Sequence, residues 1–345
     1  MMKTAVFKDD LFLEHDPGSS HIESPRRLKV IYNRLNEEGG DFYYPGAEPA
    51  GQELLRLNHS SSYIHKIKAT AGKTFSILDP DTCTSSRSYE AACLAAGAVV
   101  QGLKMLVDKK IDNGFALVRP PGHHAEAAAA MGFCLFNNIA IGARYALKHL
   151  GMERILIVDW DLHHGNGTQH SFYGTDQVLY FSTHQYPCYP GSGAIAELGN
   201  GMGEGFNLNV PLSGGQGDEE FARIFNELLV PLAREYSPDI ILISAGFDIY
   251  RGDPLGAMRV TEAGFAYMTR VLMELAREVC AGRLFLTLEG GYDLKGMSDG
   301  ILAVLKELSG IGFLNDSDLK RYRNSNVSLG ILEKVQKVAE NYWKL

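Results

Sequence analysis

The chain has 345 residues, of which 45% are hydrophobic and 21% charged, with 41 acidic against 33 basic side chains and a net charge of -8. That acidic balance, without a basic run, argues against direct nucleic-acid binding and suits a cationic ligand, because phosphate recognition depends on clustered Lys and Arg. Five scattered cysteines form no CxxC pair, and the opening Met1-Met2-Lys3-Thr4-Ala5-Val6-Phe7 soon meets Asp9 and Asp10, so the expectation is a cytoplasmic chain with reduced thiols, no secretory signal and no membrane span.

No Pro/Ser-rich linker, charge block or fixed-period repeat interrupts the chain, so one domain over residues 1–345 is expected. Apolar runs at 115–118, 155–159, 178–182, 206–210, 240–244 and 284–288 alternate with helix-like segments. That alternation is the βαβ pattern of an α/β fold with a mostly parallel sheet. Residues 218–236 carry a helical pattern with an acidic start and an interior Pro231, which should kink or divide the helix. The more polar tail, 316–345, is expected to end in a helix.

Chemistry collects where these runs end. After 115–118 comes Arg119-Pro120-Pro121-Gly122-His123-His124-Ala125. A lone loop histidine is usually a solvated polar residue, but a tandem pair braced by Pro-Pro-Gly can bring two proton-transfer groups to one site near neutral pH. The run at 155–159 continues as Asp159-Trp160-Asp161-Leu162-His163-His164-Gly165-Asn166-Gly167. In extended chain, residues i and i+2 point the same way, so Asp161 and His163 can reach one ion together. A catalytic metal site needs three protein ligands and an open position, and Asp248, at the end of the run 240–244, is the candidate third. Taken singly each of these acids is a helix cap. As a cluster the three are better explained as ligands. The run at 284–288 leads into Glu289-Gly290-Gly291-Tyr292-Asp293, where the glycines allow a tight bend and Tyr292 can donate to a developing oxyanion.

These motifs resemble those of the zinc-dependent deacetylases, the superfamily of histone deacetylases, acetylpolyamine amidohydrolases and acetoin-utilisation proteins. The resemblance runs from about residue 16 to about residue 300. It implies the single-domain arginase/deacetylase-like α/β fold, with a mostly parallel sheet of about eight strands flanked by helices. It implies one catalytic zinc on Asp161, His163 and Asp248, although a donor set without thiolate also accepts iron(II) or cobalt(II). His124 would be general base and then acid, and His123 an electrostatic partner, the two oriented by Asn166 and Asp159 respectively. Tyr292 would polarise the scissile carbonyl. Asn166, where many members carry aspartate, resembles the class II branch and its bacterial relatives.

Carried over further, Gly132, Phe133, Tyr189, Gly290 and Gly291 would shape a substrate tunnel, with Leu255 at its mouth. Asp81 would be a rim acid holding the substrate backbone, although in isolation it reads equally as a loop acid. Arg27 falls beside an internal channel behind the metal, or simply pairs with buried carboxylates. One structural potassium would use Asp159, Asp161, His163, Ser182 and Thr183; a second monovalent site would use Phe172, Thr175 and Val178.

The implied reaction is hydrolysis of an acetyl-lysine amide in a protein or peptide, releasing acetate, with an acetylpolyamine as the alternative substrate. Leu255 and the short loop 72–81 favour the acyl-lysine. A non-catalytic acyl-lysine binder would be expected to lose a ligand, a histidine or the tyrosine, and all are present. A dimetal ureohydrolase would need carboxylates two after His163 and two before Asp248, where the chain has Gly165 and Gly246. Oligomeric state is left open.

Overall fold

The computed structural model describes residues 2–345. Its strands are β1 (Thr4–Phe7), β2 (Ser76–Ile77), β3 (Cys83–Thr84), β4 (Asn113–Ala116), β5 (Ile155–Asp159), β6 (Val178–Gln185), β7 (Asn207–Leu212), β8 (Ile240–Ala245) and β9 (Leu284–Leu288). Strands β2 and β3 make a small antiparallel hairpin; the other seven form one parallel sheet in the order β1-β4-β9-β8-β5-β6-β7. Seven strands thus stand where about eight were expected. The expected strand at 115–118 lies two residues earlier: the polar Asn113 and Gly114 pair with β1, and Leu117 makes a last bond, from its N–H to the Phe7 carbonyl at 3.0 Å, just past the end of β4.

β5, β8 and β9 are buried along their whole length. This explains their unbroken Ile/Leu/Val character: a parallel sheet is covered by helices on both faces, and each fully buried aliphatic side chain contributes about 1.5–3 kcal/mol. The helix Ser88–Val107 is long and apolar enough to cross a membrane, but 78% of its apolar window is buried inside the fold.

The expected break at Pro231 is present. Helix Asp218–Ile224 passes into a widened π turn, Phe225–Leu229, and resumes as Val230–Tyr236. Proline has no N–H to give and its ring crowds the carbonyl four residues back, so the preceding turn widens. In the tail, helix Gly330–Ala339 packs along β7, and Trp343 Nε1 donates to the Gly205 carbonyl at 2.8 Å. The tail therefore covers the outer edge strand of the sheet, which would otherwise expose unpaired backbone.

Candidate active site

The register places Asp159, at the end of β5, beside Ser244 of β8 and Ser182 of β6, and Ser244 beside Thr287 of β9. The loops that follow β4, β5, β8 and β9 therefore meet over one edge, the carboxyl end of the strands, where open α/β sheets hold their ligands.

Asp161, His163 and Asp248 bring one ligand atom each within 4.8 Å of one another. His163 Nδ1 lies 3.3 Å from Asp161 Oδ1 and 3.2 Å from Asp248 Oδ2. Backbone amides aim the carboxylates: Gly290 N donates to Asp161 Oδ2 at 2.8 Å, and Leu162 N to Asp248 Oδ1 at 2.9 Å. Burial and the charge of Asp161 push Asp248 up to about 7. Burial opposes the charge on His163 as well, yet Asp161 and Asp248 raise it well above its usual value. Two buried carboxylates against one imidazole form a donor set short of positive charge, which a divalent cation would supply.

The histidine pair follows β4. Glu289 Oε2 accepts from Gly122 N at 2.6 Å and His123 N at 3.1 Å, clamping the loop to the end of β9. His123 Nδ1 lies 3.1 Å from Asp159 Oδ2, and Tyr180 donates to the same oxygen at 2.9 Å. His124 Nδ1 lies 2.8 Å from Asn166 Oδ1, and the two imidazole centres are 4.0 Å apart. Burial works against charge on both rings, but Asp161 and Asp159 overcome it at His123, raised to about 10. At His124, burial and the neighbouring His123 and His163 lower the pKa well below the usual value. Two adjacent rings pushed apart in this way are suited to different jobs: His123 as fixed positive charge, His124 as a neutral base.

A cavity of about 210 Å³ opens over this floor, lined among others by His123, His124, Asp161, His163, Gly290 and Tyr292, with Phe133, Tyr189 and Leu255 as its apolar walls. Gly132 and Phe133 both have positive φ, +56° and +68°, in a turn closed by Cys134 N to Met131 O at 2.9 Å. The left-handed backbone is rare for phenylalanine and is held from outside. Asp81 Oδ1 accepts from Gly132 N at 3.1 Å, and Thr82 Oγ1 from Phe133 N at 3.0 Å. Asp81 therefore lines the cavity and braces its wall. The Phe133 ring packs edge-on to Tyr292, 6.0 Å between centres. Tyr292 is held by its backbone N–H, which donates to Asp253 Oδ2 at 2.7 Å. Gly290 is required by close approach: a Cβ there would lie 2.3 Å from Asp248 Oδ2. Gly291 is required by its φ of +120°.

Arg27 does not line the cavity. It is fully buried behind Tyr292, bonded to Glu23 Oε1 at 3.0 Å and to the carbonyls of Glu289 and Gly291 at 2.6 and 2.7 Å, with its guanidinium 5.0 Å from the Tyr292 ring centre. It therefore has the buried pairing and also supports the tyrosine loop. Ser182 and Thr183 lie next to the site on β6; Phe172, Thr175 and Val178 gather at the opposite end of that strand.

Sequence reasoning did not assign Glu289, Tyr180, Asp253 or Glu126. Glu289 stood inside a quoted motif, but it clamps Gly122 from 167 residues away, a partnership that only the parallel register creates. Burial raises Glu289 to about 7.

The Histone deacetylase domain profile matches residues 21–308. Histone deacetylase 18 of Arabidopsis thaliana is 41% identical over 89% of this chain and 47% of its own length. A probable deacetylase of Archaeoglobus fulgidus is 37% identical over 99% of both chains. Among solved structures, the HDA15 HD domain superposes with a TM-score of 0.90 at 38% identity, over 99% of this chain and 95% of that one. The chain spans about half the length of several curated relatives, 47% to 57% of three plant histone deacetylases. A cluster of two buried carboxylates and a half-buried histidine beside a paired-histidine loop, on a fold and sequence shared with these proteins, places the chain in the histone deacetylase family.

Proposed function

We propose that the chain is a metal-dependent amide hydrolase that removes acetyl, or another short acyl group, from the side-chain amine of an acyl-lysine in a protein or peptide. One observation carries this reading: the Asp161, His163 and Asp248 donors lie together at the floor of an apolar-walled cavity that His124 and Tyr292 also line. The walls suit the four-carbon stem of lysine, and the net charge of -8 suits a cationic partner.

Zinc is the ion proposed for these donors, with iron(II) or cobalt(II) compatible with the same ligands. When bound, such an ion supplies Lewis acidity, polarising a carbonyl and lowering the pKa of a water molecule. His124, kept neutral, takes the proton of the attacking water at Nε2, the nitrogen that Asn166 leaves free. As the amide carbon becomes tetrahedral, the Tyr292 hydroxyl donates to its oxygen. The C–N bond then breaks, His124 returns the proton to the leaving nitrogen, and acetate and a free amine result. His123, paired with Asp159, holds positive charge beside the developing anion.

Thr183 Oγ1 is buried without a hydrogen-bond partner among the described residues, which supports a potassium ion held there with Ser182 and the carbonyls of Asp159, Asp161 and His163. The turn at Phe172, Thr175 and Val178 is proposed as the second monovalent site. The half-exposed apolar Leu255 at the cavity mouth favours acyl-lysine over a polyamine, whose second cation an acid there would attract. Five free cysteines fit a cytoplasmic setting, and residues 1–345 are proposed to act as one domain. Acetate release from an acetyl-lysine peptide should be seen and should stop with a chelator. A large kcat/KM advantage for acetylated polyamines assayed alongside would overturn the substrate class.

A further inference from the structure

Asn166 differs from a carboxylate in a way that matters to its neighbour. A carboxylate presents only acceptors, whereas an amide presents an acceptor at one end and two donors at the other. Left to itself, Asn166 can turn either end toward His124. With Oδ1 inward it fixes the proton on His124 Nδ1 and leaves Nε2 free to act as a base; with Nδ2 inward it reverses the tautomer and disables the base.

The surroundings of the other end decide between these. Asn166 Nδ2 lies 2.5 Å from Glu126 Oε1, 3.3 Å from Met131 Sδ and 3.4 Å from the His124 carbonyl. All three are acceptors, and the carboxylate is the strong one. Glu126 is held in place in turn. Its carbonyl oxygen accepts from His59 Nδ1 at 2.9 Å, its backbone N–H donates to the Ala129 carbonyl at 2.9 Å, and its Oε1 meets His170 Nδ1 at 2.8 Å at the protein surface.

We infer that Glu126 is a positioning residue of the active site: it locks the Asn166 amide so that Oδ1 faces His124, and the pair Asn166–Glu126 does together what a single carboxylate would do at position 166. The inference rests on the deacetylase reading for its kinetic consequences, and on geometry alone for the tautomer. The carboxylate withdraws on the Nδ2–H and so enriches Oδ1 in negative charge, a cooperative effect along the hydrogen-bonded chain. It also explains how a neutral asparagine supports the imidazolium that forms at His124 during turnover.

Two experiments test this. Histidine 15N NMR of the unmutated zinc-loaded protein should show His124 as the Nδ1–H tautomer, and Glu126→Gln, whose amide can donate or accept, should convert it to a mixture. On an acetyl-lysine peptide, Glu126→Gln should lower kcat by about 10–100-fold with KM within about twofold and zinc content unchanged. Asn166→Asp alone sets two carboxylates against each other and should also slow turnover, whereas the double variant Glu126→Gln/Asn166→Asp should be faster than Asn166→Asp alone. A His124 carrying its proton on Nε2 in the unmutated protein, a wild-type-like Glu126→Gln, or additive losses in the double variant would each overturn the proposal. If the unmutated protein releases no acetate, the deacetylase reading fails, while the tautomer measurement still decides the role of Glu126.

Discussion

Gly246 stands so close to Asp161 that a Cβ built on it would lie 2.1 Å from Asp161 Oδ2. Gly165 is confined in the same way, with Asp159 Oδ2 at 2.3 Å and the Tyr180 hydroxyl at 2.6 Å from its would-be Cβ. These are the two positions where a dimetal ureohydrolase needs bridging carboxylates. The chain lacks the carboxylates, and it also has no room for them. Gly246→Ala should push Asp161 off its place and weaken zinc retention by at least about tenfold, as displaced ligand support does elsewhere. Undiminished zinc affinity by chelator competition would show that Asp161 is not a ligand.

Asp248→Ala removes one of three donors and leaves the Leu162 amide without its acceptor. The variant is expected to lose stoichiometric zinc during dialysis. Metal analysis of purified protein checks this, and a zinc content near one per chain would contradict the ligand set.

Tyr292→Phe deletes the proposed oxyanion donor and little else, since Arg27 packs on the ring and Asp253 holds the backbone N–H. The expected loss is about 10²–10³ in kcat at unchanged zinc content. Desolvation at the half-buried Tyr292 raises its pKa well above the usual phenol value despite the opposing charge of Arg27, so the hydroxyl stays protonated through the neutral range. Near-normal kcat would remove Tyr292 from the mechanism.

The strands were legible because a parallel sheet buries both faces, so β5, β8 and β9 read as unbroken apolar runs whose polar ends stand out. The same contrast exposed Asp161, His163, Asp248 and the His123-His124 loop. β1 escaped because Thr4–Phe7 is short and its partner β4 begins with Asn113 and Gly114, which carry no strand signal. Glu289, Tyr180 and Glu126 escaped for a different reason. A carboxylate or phenol has no local pattern, and its meaning lies in a partner such as Gly122, Asp159 or Asn166 that only the folded register brings within 3.5 Å. The tail was legible as a helix, but not as the cover of β7, because nothing local ties Trp343 to Gly205.

Asp81→Ala should act on the cavity wall. It removes the acceptor of Gly132 N and leaves a turn with two successive positive-φ residues, one of them Phe133, less firmly held. A lost hydrogen bond of this kind costs about 0.5–1.5 kcal/mol. KM for an acetyl-lysine peptide should rise roughly 2–10-fold, with zinc content unchanged. Asp81→Asn, which keeps an acceptor oxygen, should recover most of the loss if the turn is what matters; failure of that rescue would point to substrate contact by the charge instead.

The site should also be acid-sensitive through a histidine that never touches substrate. His59 Nδ1 donates to the Glu126 carbonyl at 2.9 Å while Nε2 accepts from Asn137 N at 2.9 Å, so the neutral ring ties the histidine loop to the start of helix Asn138–His149. Burial lowers its pKa from 6.5 to about 4, against the backbone acceptors that favour charge. The folded value lies below the unfolded one, so the unfolded chain binds more protons between the two. The stability this residue contributes is therefore full above about 6.5 and is lost as pH falls toward about 4, on the order of 3 kcal/mol in all. Gln at position 59 can offer one donor and one acceptor without titrating. Urea midpoints at pH 7.5 and 5 should fall less for His59→Gln than for the unmutated protein, and equal falls would show that His59 is not the group responsible.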